Sequence, residues 1–317
     1  MTEAAVLLGC GLAARLHSRT LRRVAPHLPR FYASRDGEKA RDFNRRYRGH
    51  GWHQGYEAAL ADPRTSLALV LTPPATHLEL TLAALRAGKH VIVEKPAFLT
   101  TGECDAVAAR ARLAGRQVLV AENYFYKPLA ETLRAIIASG RIGAVRLIRL
   151  NALKWQRPAG WRADSRLAGG GPLFEGGIHW LSLLNNIGPE IAELRVQQCG
   201  SPLTTVTTAQ YAEGGVAILS YSWEVRSRPG GIQLSRLQGT QGDVIFESNG
   251  LFVSAPGDRL ILPGFRDLAG YRAMFQDLLA ALQHDRPPRF TLARARRDIE
   301  LLQDAVTTAT AAERSVT

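Results

Sequence analysis

Along the first 122 residues, short unbroken apolar runs alternate with segments that repeat apolar residues at helical spacing. The runs fall at 4–8, 31–34, 67–72, 91–93 and 118–121. Between them, leucine recurs at helical spacing over 78–86 before Gly88, and an alanine-rich stretch over 100–113 stops before Gly115. A glycine just past the last helical residue is a common helix stop. Continuous apolar strands alternating with helices predict a parallel sheet covered on both faces.

After Asn123 the rhythm changes. A helix is predicted over 129–139, and 145–150, 204–211, 216–223, 233–238 and 244–246 read as strands, many with period-two alternation. Gly214-Gly215 and Ser248-Asn249-Gly250 supply turns between them. Strands that follow one another without crossover helices predict a largely antiparallel sheet. Two helices, over 271–283 and 292–310, close the chain. The predicted fold class is an α/β Rossmann domain, doubly wound about a parallel sheet, over 1–122. An α+β domain for substrate and oligomerisation follows over 123–317, with the helix at about 292–310 placed to pack back on the first domain.

Composition narrows the class. The 317 residues are enough for about two domains. With 46% apolar and 21% charged residues, the chain is neither disordered nor collagen-like. No stretch approaches the roughly 18 consecutive apolar residues of a membrane helix. The start has no basic n-region, so no signal peptide is expected. Cys10, Cys104 and Cys199 form no C-x-x-C pair, which implies neither a disulfide framework nor a metal site. A cytoplasmic location is the natural expectation.

The net charge of +12 first suggests a polyanion partner. Only five of the 40 basic residues are lysines, a skew that reflects GC-rich coding better than selection for binding. Residues 15–48 hold eleven basic and three acidic residues, a net of +8, two-thirds of the whole excess. No helix-turn-helix or aromatic-basic stacking pattern accompanies the charge, so neither a nucleic-acid nor a membrane partner is expected.

That charged segment follows a specific motif. Gly9-Cys10-Gly11-Leu12-Ala13-Ala14 lies between the first strand and a helix and fits G-x-G-x-x-A. The first glycine permits the tight turn, and the second lets backbone approach a pyrophosphate at the helix N-terminus. The small third residue lets helix and strand pack closely. Gly9, Gly11, Leu12 and Ala13 are therefore cofactor-binding candidates. At the end of the second strand an acidic residue normally bonds the ribose of NAD. Here Ser34-Arg35 occupy that place, with Asp36 late and Lys39 following. A hydroxyl and cations suit a 2′-phosphate, so NADP(H) is expected over NAD(H). The alternative is that Asp36 reaches the ribose and NAD(H) is used.

Two further segments carry a family resemblance. One is Ala87-Gly88-Lys89-His90-Val91-Ile92-Val93-Glu94-Lys95-Pro96, preceded by Thr72-Pro73-Pro74-Ala75-Thr76-His77. The other is Gly169-Gly170-Gly171-Pro172-Leu173-Phe174-Glu175-Gly176-Gly177-Ile178-His179. With the turn Gly239-Thr240-Gln241-Gly242, the chain resembles the glucose–fructose oxidoreductase / inositol dehydrogenase / MocA (Gfo/Idh/MocA) family over almost its whole length. The resemblance implies a nicotinamide-binding first domain and a second, open sheet that often mediates oligomers, here a dimer or tetramer. It implies that Lys95 lies by the nicotinamide and orients the reacting oxygen, and that His179 is the general acid/base. Glu175 takes the place of the family's usual aspartate. Trp161-Arg162 correspond to a pair near the cofactor in NADP-using relatives. Thr72, Pro73, Pro74, His77, Glu94 and Asn123 fall on cofactor loops, and Tyr124 where relatives contact nicotinamide or substrate.

The chemistry of these residues agrees. Reducing a carbonyl by hydride needs a proton donor and a cation at the developing alkoxide. Histidine titrates near neutrality, and a lysine stabilises negative charge. Glu175 and His179 are four apart, so a helix there puts both on one face. Each keeps an alternative: Lys95 as a solvated lysine, His179 as a core histidine, Glu175 as a helix N-terminal carboxylate. Tyr124, Tyr126, Lys154, Trp155 and Arg157 are candidates for the substrate side, equally readable as loop and sheet packing. The leading expectation is reversible hydride transfer to or from a hydroxyl or carbonyl of a small polar molecule, a sugar, sugar derivative or cyclitol. Reduction of C=N or conjugated C=C bonds is a second reading, and a cofactor-binding regulator without turnover a third.

Overall fold

The computed structural model describes residues 4–226, 231–257 and 260–316. The chain forms two compact units, one of residues 1–122 with 271–296, the other of 123–270 with 297–317.

The first unit begins with β1 (Ala5–Leu8), α1 (Leu12–Val24), β2 (Arg30–Ser34), α2 (Gly37–Tyr47), β3 (Gly51–Gln54) and α3 (Tyr56–Ala61). It continues with β4 (Leu67–Val70), α4 (His77–Arg86), β5 (His90–Glu94), α5 (Thr101–Ala114) and β6 (Val118–Ala121). All six strands are parallel, in the order β3-β2-β1-β4-β5-β6. Strands β1 and β4 are buried at every residue, as a sheet covered on both faces requires. The strand order reverses beside β1, so the loops after β1 and β4 leave the sheet in opposite directions. Ligands of such sheets bind at that switch point, outside the strands' carboxyl ends.

The sequence pattern missed β3, α2 and α3. Strand β3 reads Gly-Trp-His-Gln and alternates half-buried with exposed residues at the sheet edge. Helix α2 is dominated by charged residues and buries only Gly37, Ala40, Phe43 and Tyr47. Residues 271–296, assigned from sequence to the second domain, belong with this unit. They carry α9 (Tyr271–Gln283), which buries Met274, Phe275 and Leu278 and sets Phe275 edge-on against His17 of α1.

The second unit contains α6 (Pro128–Ala138), β7 (Val145–Leu153), α7 (Ser165–Ala168), α8 (Ile178–Asn185), β8 (Ile191–Gln198) and β9 (Thr204–Tyr211). Strands β10 (Val216–Ser222), β11 (Leu234–Gly239), β12 (Asp243–Glu247) and β13 (Val253–Ser254) follow, and α10 (Leu292–Val316) ends the chain. The sheet runs β13-β12-β11-β7-β10-β9-β8. It is antiparallel except between β7 and β10, which pair in parallel. Strands β9 and β10 alternate buried and less buried residues. The buried face holds Ala209, Tyr211, Leu219 and Tyr221, and Tyr211 donates its hydroxyl to the Leu184 carbonyl of α8 at 3.3 Å. No helix among the described residues is long and apolar enough to cross a membrane.

Candidate functional site

In the first unit, the loop between β1 and α1 has the form an anion needs. Gly9 has φ +103°, and a Cβ there would stand 2.8 Å from the Leu71 carbonyl oxygen. Only glycine lets β1 turn this close to the β4 loop. Gly11 is the N-cap of α1, and a Cβ on it would meet no atom within 4 Å. No side chain caps α1 and no acidic residue sits in its first turn. The N–H groups at Leu12 and Ala13 therefore open onto space at the positive end of the helix. A pyrophosphate fits this cradle.

At the end of β2, Ser34 is buried and its hydroxyl accepts from the Asp36 N–H at 3.3 Å. Asp36 Oδ1 accepts from the Lys39 N–H at 3.2 Å, which makes it the N-cap of α2. Arg35 and Lys39 are exposed. Burial pushes the Cys10 thiol up to about 12, with Lys39 opposing and Asp36 reinforcing the shift. Burial also raises the Tyr56 phenol, against the nearby Arg35. Both cations thus act on groups around the phosphate loop.

The β4 and β5 loops are tied together by His77. Its ring is sealed from solvent, with Nε2 2.9 Å from the Thr72 carbonyl oxygen and Nδ1 2.9 Å from that of Pro96. Burial, the largest influence, lowers its pKa despite these carbonyls. His77 therefore ties the cofactor loops to each other through both ring nitrogens, in keeping with its place on a cofactor loop behind the ligand. Pro74 is buried, while Thr72 and Pro73 remain half-buried at the strand end. Glu94 also faces protein: one carboxylate oxygen pairs with His17 Nε2, and Oε2 accepts from the Lys95 N–H at 3.0 Å. Lys95 is half-buried at the end of β5.

In the second unit, Gly169, Gly170 and Gly171 all take positive φ. The chain then enters a π-helical turn, Leu173–Gly177, continuous with α8. Such turns occur often at functional sites. Glu175 and His179 lie four apart along it. Glu175 is buried, and its Oε1 accepts from Arg162 Nε at 3.0 Å. The Arg162 guanidinium lies 4.4 Å from the Trp161 ring centre. His179, half-buried, stacks on Tyr124 with centroids 4.3 Å apart and planes 13° from parallel. Lys127 is buried with its Nζ 4.3 Å from the Tyr124 ring centre and 5.6 Å from that of Trp180. A Cβ on Gly176 would stand 2.3 Å from the Tyr221 hydroxyl, which accepts from Trp223 Nε1 at 2.5 Å. Burial, then the charge of Glu175, pushes the Tyr221 pKa up, so it stays a neutral phenol.

Several sequence candidates have other employment. Tyr126 is 1% exposed and packs edge-on to Phe125 at 5.1 Å, so it is a core residue and lines no substrate surface. Asn123 is buried and donates from Nδ2 to the Ala269 carbonyl at 2.6 Å, where it fixes a loop of its own unit. Arg162, expected near the cofactor, is held by Glu175. Lys154 and Trp155 are exposed beyond β7, with the Arg226 and Arg157 guanidinium carbons 5.0 and 5.9 Å from the Trp155 ring centre. Sequence reasoning missed His17, Lys127 and Tyr221. His17 had a signal: it falls in the buried series Ala14, His17, Ser18, Leu21 of α1. A buried lysine such as Lys127 had none.

Residues 4–122 match the model of an oxidoreductase family with an NAD-binding Rossmann fold, and 130–245 match the GFO/IDH/MocA C-terminal domain. A 1,5-anhydro-D-fructose reductase from Ensifer adhaerens is 35% identical over 127 residues, 39% of this chain and 38% of that protein. The chain spans less than two-thirds of the length of the curated relatives it matches. Among solved structures, an aldose–aldose oxidoreductase from Caulobacter crescentus, complexed with glycerol, has TM-score 0.86 at 20% identity over 98% of both chains. A levoglucosan dehydrogenase in complex with NADH and levoglucosan has TM-score 0.85 at 20% identity, over 99% of this chain and 98% of that one. The structural likenesses establish the fold, and the two family matches together span most of the sequence: the chain belongs to the Gfo/Idh/MocA oxidoreductase family.

Proposed function

We propose that this protein is an NADP(H)-dependent oxidoreductase that transfers hydride reversibly between nicotinamide and a hydroxyl or carbonyl carbon of a sugar, sugar derivative or cyclitol. The observation that carries the reading is the uncapped cradle at Gly11 with Arg35 and Lys39 exposed beside it. Asp36, the residue that competes for a ribose hydroxyl, has an oxygen engaged in capping α2. That leaves the cations to meet a 2′-phosphate.

The bound cofactor supplies or accepts the hydride. In the reduction direction His179 donates a proton to the carbonyl oxygen and takes it back in the oxidation direction. The Tyr124 ring against its face holds the imidazole in one plane. Lys95 supplies a cation that favours the developing negative charge. Glu175, balanced by Arg162 and four residues before the histidine in the chain, orients substrate hydroxyls. Trp155 offers an exposed ring for a sugar face. The relatives named for 1,5-anhydro-D-fructose, aldoses and levoglucosan support a small carbohydrate as substrate. The chain assembles as a dimer or tetramer through the open face of the second sheet, where Val216 and Leu234 are exposed. The free thiols fit a cytoplasmic setting.

A panel of aldoses, anhydrosugars and cyclitols, assayed with NADP⁺ and NAD⁺, tests this reading. Turnover of at least one carbohydrate, faster with NADP⁺, is expected. Turnover with NAD⁺ alone would refute the cofactor assignment, and no turnover of any polyol would refute the substrate class.

A further inference from the structure

We propose that His17 is a positioning residue for Lys95, acting through Glu94. The inference rests on the reading of Lys95 as the residue that meets the reacting oxygen. His17 lies in α1, the helix whose N-terminus forms the phosphate cradle, and its side chain has no solvent exposure. Its Nε2 pairs with one Glu94 oxygen, and the other oxygen accepts the Lys95 N–H at 3.0 Å. The carboxylate therefore bridges a helix residue to the backbone of the lysine itself.

The imidazole has little freedom to turn. Tyr271 and Phe275 of α9 meet it edge-on, with ring centroids 5.7 and 5.1 Å away and planes at 82° and 89°. Its Nδ1 is buried without a hydrogen-bond partner. A histidine serving only to fill the core would be replaceable by an apolar side chain that leaves no polar atom unsatisfied. What an apolar side chain cannot supply is the bond to Glu94. Through that bond α1 fixes both ends of the cofactor site in this unit, the phosphate cradle at Gly11 and the lysine at the end of β5.

The chain has only five lysines, so acylation of each is resolved by mass spectrometry after labelling with an N-hydroxysuccinimide ester. In His17→Leu, labelling of Lys95 is expected to rise about fivefold or more as its backbone anchor loosens. The buried Lys89, whose Nζ donates to the Asp62 carbonyl at 2.9 Å, and the exposed Lys154 should stay within about twofold. His17→Gln, which retains a terminal N–H, should restore Lys95 to near its original rate. In turnover, His17→Leu should lower kcat about tenfold with cofactor KM within about twofold. If His17→Leu does not fold, Glu94→Ala removes the bridging carboxylate instead, with the same rise expected at Lys95. Equal Lys95 rates in all proteins, or a parallel rise at Lys89, would overturn the proposal in favour of a purely structural histidine. Labelling needs no substrate, so it is independent of the catalytic reading. Turnover that survives Lys95→Ala would sink that reading and leave the labelling result intact.

Discussion

Arg162 donates from Nε to Glu175 Oε1 at 3.0 Å, so the carboxylate four residues before His179 has its charge balanced within its own unit. Glu175 is 8% exposed and Arg162 29%. Arg162→Ala leaves a nearly buried carboxylate without this partner, at an expected cost of about 1–3 kcal/mol. Urea unfolding would measure it. Turnover should fall with it by about tenfold or more, and Arg162→Lys should recover stability better than rate, because an ammonium cannot reproduce the planar fork. Unchanged unfolding and unchanged rate in Arg162→Ala would mean the pair is incidental.

Gly176 and Tyr221 make a second coupled pair. A Cβ at Gly176 would meet the Tyr221 hydroxyl at 2.3 Å, so Gly176→Ala should destabilise by about 1–3 kcal/mol through overpacking. In a Tyr221→Phe background the same substitution should cost visibly less, since the clashing oxygen is gone. A double-mutant cycle by thermal unfolding reads the difference. Additive effects would place the strain elsewhere.

Arg35→Ala should weaken NADPH binding about 10–100-fold, the worth of a hydrogen bond to a charged group. NADH binding should barely change. Fluorescence titration of both cofactors decides it; equal losses for the two would show that Arg35 does not meet the 2′-phosphate.

Much of this was legible in the sequence. Strands β1, β4 and β6 announce themselves because a strand covered on both faces is apolar throughout. The phosphate loop, Lys95, Glu175 and His179 stand out because their motifs are contiguous. Other features depend on contacts that no local pattern encodes. Strand β8 is polar at half of its eight residues, exposed at most of them, and pairs only with β9, at the sheet edge. Lys127 is buried because rings at 124 and 180 receive it, and a lone lysine carries no sign of that. Tyr126 looked like part of an aromatic site for the opposite reason: composition cannot say which neighbouring tyrosine turns inward. The segment 271–296 follows the second sheet in sequence yet supplies the rings around His17 in the first unit.

Acid sensitivity should be traceable to Asp62. Arg64, by its side-chain hydrogen bonds above all, holds the Asp62 carboxyl well below the usual carboxylate range, with His53 helping. A carboxylate whose pKa is depressed by folding stabilises the protein fully above its unfolded value, near 3.9. That contribution is lost as pH falls through the lower folded value. Arg64 is 62% exposed, so solvent screening keeps the contribution to about 1 kcal/mol. The stability gap between wild type and Asp62→Asn should be constant above about pH 5 and shrink below about pH 4. A gap that widens in acid would contradict the sign.

If Lys95 and His179 support hydride transfer from a nicotinamide to a carbohydrate carbon, the nicotinamide hydrogen must arrive on that carbon. The most direct measurement is deuterium transfer from C4-deuterated NADPH to the best carbonyl substrate of the panel, read by mass spectrometry of the product. One deuterium is expected on the former carbonyl carbon with wild type. Lys95→Met and His179→Asn should slow its appearance by about a hundredfold or more. Product without deuterium, or undiminished transfer in both variants, would contradict it.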